Sequence, residues 1–198
     1  LADREYIYPG ESLVISYDNG KGRIITHGNT IPKIDERTLR KTLPFLSYLS
    51  ILNYTATQDG DIITHYDYTE IIRISKAYGV VPLLLLTTLT LQGEANLNIV
   101  YSILLSEDFQ NKIIENLLRI LREKEYFGVN ISLESINPIN ISLYENYLRK
   151  IKERLNAEGY QVFLTVNPNL FTQGDEVVFE RVDYSVLAGL AQNILIMS

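Results

Sequence analysis

The sequence predicts an α/β fold, in which parallel strands alternate with covering helices, and three observations carry that expectation. From residue 23 onward, apolar runs of strand length alternate with helical periodicities. Most of the runs are rich in Val, Ile and Leu, as expected of strands covered by helices on both sides. Gly, Asn or Pro bounds most of them. Two closures fit such an alternation, an open doubly wound sheet and a barrel. No GxGxxG or GxxxxGKS/T follows any run, so the nucleotide-binding open sheet lacks its main signal.

The elements follow in order. Residues 1–22 differ in texture, with turn signals at Pro9-Gly10 and Asp18-Asn19-Gly20 around a strand-like run over residues 12–17. Strands are expected over residues 23–26, 48–54, 80–87, 128–134, 162–167 and 193–198. A short helix is expected over residues 35–43. A second, over residues 68–78, carries Ile71, Ile74 and Ala77 on one face and stops at Gly79. Helices over residues 96–105 and 107–125 come next. The latter has Phe109, Ile113, Ile114, Leu117, Leu118 and Leu121 at helical spacing, with Glu107 and Asp108 in the first turn, where they suit the helix dipole. Helices over residues 143–157, stopped by Gly159, and 184–191 complete the set. Asp59 and Asp61 around Gly60 read as a turn.

Composition narrows the function. The chain has 198 residues and a net charge of −6, which argues against a nucleic-acid partner, because such a protein needs a basic surface. Lys and Arg are dispersed through the helical segments rather than gathered in a run. There is no cysteine, so disulfides, thiolate metal sites and cysteine nucleophiles are excluded. No apolar run reaches membrane-spanning length, so no membrane partner is expected. The chain opens at Leu1 without an initiator Met or a signal-peptide pattern, as expected of an excised or processed product. His27 and His65 lack metal-ligand spacing and are expected to be ordinary surface or loop residues. Tyr is abundant at 14 residues, and Trp is absent. Packing against a sheet explains that abundance more simply than a sugar-stacking cleft does.

The segment over residues 128–134 is the most informative. Val129, Ile131 and Leu133 alternate with Asn130, Ser132 and Glu134. A parallel strand covered on both sides should be apolar on both faces, whereas here one face is polar. In a barrel the apolar face meets the helices and the polar face looks inward. Glu134 then stands at the C-terminal end of its strand, where such barrels keep their active sites. A buried carboxylate is costly unless it is paired, so it tends to be there for a task. Other polar residues at strand ends are candidates for the same cleft: Asn53 and Tyr54, Thr87 and Thr88, Asn167 and Asn169. For these, loop capping is the simpler explanation.

This segment resembles the fourth-strand signature DxxDxDxE of glycoside hydrolase family 18. The motif positions are occupied by Phe127, Asn130, Ser132 and Glu134, of which only the Glu matches. Residues 48–54, 79–85 and 194–198 resemble strands two, three and six of that family. The version is similar to the spore-cortex-lytic N-acetylglucosaminidases, which read close to GVNIDFE here. Residues 7–15, IYPGESLVI, look like the closing part of a LysM sugar-binding repeat. The resemblance implies a (β/α)8 barrel of the TIM type over residues 23–198, present as about six βα units with the C-terminal part missing, behind a LysM-like tail and linker over residues 1–22. It implies hydrolysis of β-1,4-linked N-acetylated glycans, with a polysaccharide partner, no metal or organic cofactor, and a spore cortex, spore coat or cell-wall location. Glu134 would be the acid/base of a retaining, substrate-assisted reaction, which needs no enzyme nucleophile. Asn130, Ser132, Asn53, Tyr54 and Asn167 would be substrate-binding residues. Ser132 stands where the family places an Asp that orients the substrate's acetamido group. That difference leaves open a non-catalytic glycan-binding or spore-coat protein on the same barrel.

Overall fold

The computed structural model describes residues 24–30, 33–89, 94, 96–167, 170–173, 176–179 and 182–197. Its centre is a sheet in which six parallel strands lie in chain order: β1 (His27–Thr30), β2 (Tyr48–Ala56), β4 (Val81–Thr87), β5 (Gly128–Leu133), β6 (Gln161–Val166) and β9 (Asn193–Ile196). This sequential order is that of a partial (β/α) barrel, not of a doubly wound sheet. A short strand, β3 (Ile62–Thr64), folds back antiparallel on the end of β2, and β7 (Leu170–Gln173) pairs with β8 (Glu176–Phe179) in a separate hairpin. Neither hairpin carries an apolar run long enough to stand out from its loop in the sequence. Residues 1–23, including the LysM-like segment, lie outside the described residues, as does Asn169.

Helices α1 (Glu36–Thr42), α2 (Thr69–Ala77), α3 (Leu97–Leu105), α4 (Glu107–Lys124) and α5 (Ile141–Ala157) cover the sheet. The start of α4 is set by Ser106, whose hydroxyl accepts from the Phe109 amide, with Glu107 and Asp108 following in the first turn. Its inward stripe, Ile113, Ile114, Leu117, Leu118 and Leu121, is fully buried against the outer face of the strands. From the strands that core receives Leu49, Ile51, Leu84, Leu86, Val129, Ile131, Leu133, Val162, Leu164 and Val166. Residues of opposite parity, such as Ser50, Leu83, Asn130, Phe163 and Thr165, therefore face the interior of the sheet's curve. Gly128 starts β5 where the strands crowd, and a Cβ there would lie 2.1 Å from the Gln161 carbonyl oxygen.

Two elements depart from their expected spans. The first strand occupies His27–Thr30 rather than residues 23–26. Ile24 and Ile25 have the composition of a strand but are 76% and 62% exposed. Pairing decides: the Thr26 carbonyl receives the Ser47 and Tyr48 amides, and the ladder with β2 begins only at His27 opposite Tyr48. The last helix shrinks to a 3₁₀ turn over Tyr184–Leu187, because Ala188 is extended and Gly189 adopts φ +80°.

Candidate active site

The candidate acid lies one residue beyond β5, at the C-terminal end of the fourth of the six parallel strands. Glu134 is only 3% exposed. Its Oε1 accepts from the Thr87 hydroxyl at 2.8 Å, and its Oε2 accepts from the Thr88 hydroxyl at 2.8 Å and the Thr88 amide at 3.3 Å. The donors come from the end of β4, the adjacent strand, so the pairing of β4 with β5 places them. The Glu134 carbonyl accepts from the Tyr144 hydroxyl of α5 at 2.7 Å. Burial, and then the nearby Glu134 charge, push the Tyr144 phenol up, so it stays a donor.

The turn after Glu134 is held from several directions. Ser135 adopts φ +60°, a left-handed conformation that costs a non-glycine residue about 1 kcal/mol or more. Buried Asn140 compensates by donating from Nδ2 to the Ser135 carbonyl at 3.0 Å and accepting the Asn137 amide at 2.9 Å. An apolar pocket beside the acid has Thr87, Thr88, Ser132 and Tyr144 on its polar side and Val100 and Ile103 of α3 among its apolar walls.

Below the acid, the interior face carries a polar network. Asn130 donates to the Ser50 hydroxyl oxygen at 2.9 Å and accepts from the Thr165 hydroxyl at 3.0 Å. Ser50 also lies 2.7 Å from Nε2 of His27. Because Asn130 already donates to the Ser50 oxygen, the Ser50 proton is available for His27 Nε2. The His27 ring rests among Tyr48 and Phe163, with centroids 6.0 and 5.9 Å away. One layer higher, Asn167 donates to the Ser132 hydroxyl at 3.3 Å. Asn130, Ser132, Asn167 and Glu134 are thus brought to one interior face.

Tyr54 is not brought there, and the Asn53 side chain is engaged with the loop after β3. The β2–β4 register slips between Leu52 and Tyr54, so Asn53 is the extra residue of a bulge and the side-chain parity of β2 reverses beyond it. Tyr54 turns outward into the helix-side core, where its hydroxyl meets that of Tyr126 at 3.3 Å. The buried Asn53 amide pins the loop after β3. It donates to the Tyr66 carbonyl at 2.6 Å and accepts the Tyr66 and His65 amides at 2.7 and 3.2 Å. Both residues hold the fold at this point.

His27 also departs from expectation. It was expected on the surface or in a loop, but β1 directs it into the sheet's interior. His65 does lie in a loop, 3.0 Å by Nε2 from the Thr55 hydroxyl. Desolvation lowers the pKa of His27 from 6.5 to about 4. A depressed histidine pKa means that protonation favours the unfolded chain. The stability it contributes is complete above pH 6.5 and is lost as the pH falls toward 4. With allowance for its partly solvated edge, the loss should be about 2 kcal/mol. Urea midpoints for the parent and His27→Gln between pH 7.5 and 4.5 read it directly. The gap between the two proteins should close with acidification, and a gap independent of pH would refute the assignment.

Thr87, Thr88 and Tyr144 carry more of the geometry around the acid than the sequence pattern conveys. The one available signal was the Thr87-Thr88 pair, which ends a run of four leucines one strand before Glu134.

The strand order, the outer helices and a buried acid at a strand's C-terminal end define an α/β protein of the (β/α)-barrel type, part of the barrel being present. Among known proteins the chain is similar to the cortical fragment-lytic enzyme of Bacillus anthracis, with 26% identity over 155 residues, covering 78% of this chain and 36% of that protein. In structure it is similar to the spore cortex-lytic enzyme SleL of Bacillus cereus, with a TM-score of 0.72 and 25% identity, covering 87% of this chain and 40% of that one. A class V chitinase from Pseudomonas fluorescens shares the fold at a TM-score of 0.76 and 18% identity, covering 87% of this chain and 53% of that one. The chain thus spans well under half the length of the curated relatives it matches. No family model matches it.

Proposed function

We propose that this chain belongs to a glycosidase that hydrolyses β-1,4-linked N-acetylated glycans, with spore cortex peptidoglycan or a chitin-like polymer as substrate and the spore cortex or coat as its location. Residues 1–22 would be the tail of a LysM-like repeat and its linker, and residues 23–198 the barrel. The observation that carries the reading is the position of Glu134, buried at the mouth of the fourth parallel strand above Ser132 and Asn130 on the same interior face. The similarity to cortex-lytic enzymes and chitinases supports it.

In this reading Glu134 gives its proton to the glycosidic oxygen as the bond to the anomeric carbon breaks. The substrate's own acetamido oxygen attacks that carbon, and the Glu134 carboxylate then takes a proton from the water that opens the resulting oxazolinium. Ser132, with Asn167 donating to it, occupies the position from which the acetamido group would be oriented. A serine supplies hydrogen bonding but no negative charge to the developing cation.

That last observation favours a second reading, in which the barrel binds such glycans without cleaving them. Release of reducing ends from cortex peptidoglycan and N-acetylglucosamine oligomers separates the two. The expected result is slow turnover by the parent and an increase of about 10-fold or more in Ser132→Asp, through electrostatic stabilisation of the cation. Binding without turnover by both proteins would replace the catalytic reading with the second.

A further inference from the structure

The hydrogen bonds on Glu134 distinguish its two oxygens, with a consequence for catalysis. An ionised carboxylate offers about four lone-pair positions, two on each oxygen. Oε2 uses both, on the Thr88 hydroxyl and the Thr88 amide. Among the described residues, Oε1 uses one, on the Thr87 hydroxyl. Thr87 donates to Oε1, since an ionised carboxylate can only accept, and its own oxygen accepts the Leu89 amide at 3.0 Å, which orients the hydroxyl. Tyr144 holds the Glu134 carbonyl and Asn140 the Ser135 carbonyl, so the side chain extends from a fixed base.

We infer that Thr87 and Thr88 are positioning residues that clamp Glu134 so that Oε1 alone carries the proton delivered to the glycan. A proton on Oε2 would displace one of the two Thr88 donors from a nearly water-free position, whereas a proton on Oε1 can take the lone pair that no described residue occupies. The clamp also confines the carboxyl to a single orientation. A general acid depends on such confinement, because misplacement by about 1 Å can cost about 100-fold in rate. This inference rests on the catalytic reading above.

The test compares Thr88→Val and Thr88→Ser with the parent, using N-acetylglucosamine oligomers as substrate and thermal unfolding as the control for folding. Valine keeps the shape and removes the hydroxyl donor, while serine restores the donor. Thr88→Val should lower kcat by about 10- to 100-fold with KM within about twofold, and Thr88→Ser should recover most of the rate. A folded Thr88→Val with parental kcat, or with its loss confined to KM, would overturn the clamp while leaving the catalytic reading in place. If Thr88→Val unfolds, Thr87→Val and Thr87→Ser decide by the same comparison. A parent that binds the oligomers but cleaves none overturns the catalytic reading itself. That outcome overturns this inference together with it.

Discussion

Glu134→Gln is expected to abolish turnover of N-acetylated glycans, by at least about 100-fold, while leaving the protein folded. Gln has nearly the same volume as Glu, and its amide can satisfy the same partners. Its carbonyl oxygen can take the place of Oε2 and accept both Thr88 donors. Its NH2 can then face the Thr87 hydroxyl oxygen, which among the described residues accepts the Leu89 amide alone and has a second lone pair for it. The change therefore removes the transferable proton with little else, and thermal unfolding should shift by no more than a few degrees. Kinetics on soluble oligomers should show the loss in kcat. Parental turnover in the Gln variant would exclude Glu134 as the acid. A large fall in unfolding temperature with it would mean that the buried carboxylate is chiefly a structural group.

Asn130→Ala should be the most destabilising single substitution at the polar face. Asn130 is 0% exposed and links two other buried side chains, Ser50 and Thr165. Truncation takes away the donor to Ser50 and the acceptor for Thr165, in a layer where water does not readily replace them. A buried polar group left without a partner costs about 1–3 kcal/mol, and the space vacated by the amide adds to that, so a loss of about 3 kcal/mol is expected. Urea unfolding measures it. Thr165→Val in the Asn130→Ala background should cost less than it does alone, because the hydroxyl has already lost its acceptor. Additive effects would show that the two side chains do not act as a unit, and a loss below about 1 kcal/mol would mean that solvent reaches the interior face.

The sequence by itself determined the fold class, most element spans and the interior face of β5. Each depends on local periodicity. Ile113, Ile114, Leu117, Leu118 and Leu121 mark a helix stripe wherever the helix docks, and the alternation from Val129 to Glu134 assigns sides to any strand. The parallel sequential sheet agrees with the alternation of strands and helices because such connections leave few topologies open. Tertiary structure alone decided the rest. The first strand moved from residues 23–26 to His27–Thr30 because a strand is defined by its partner, and β2 offers its ladder only from Tyr48 onward. Tyr54 left the interior face because a bulge at Asn53 reversed the parity of β2, and the bulge is held by backbone groups of His65 and Tyr66, brought back beside it by β3. His27 became an interior residue through its contacts with Ser50, Tyr48 and Phe163. Thr87 and Thr88 reached the acid across 47 and 46 residues of chain, respectively. No periodicity encodes such a distance, because only the pairing of β4 with β5 brings their C-terminal ends together.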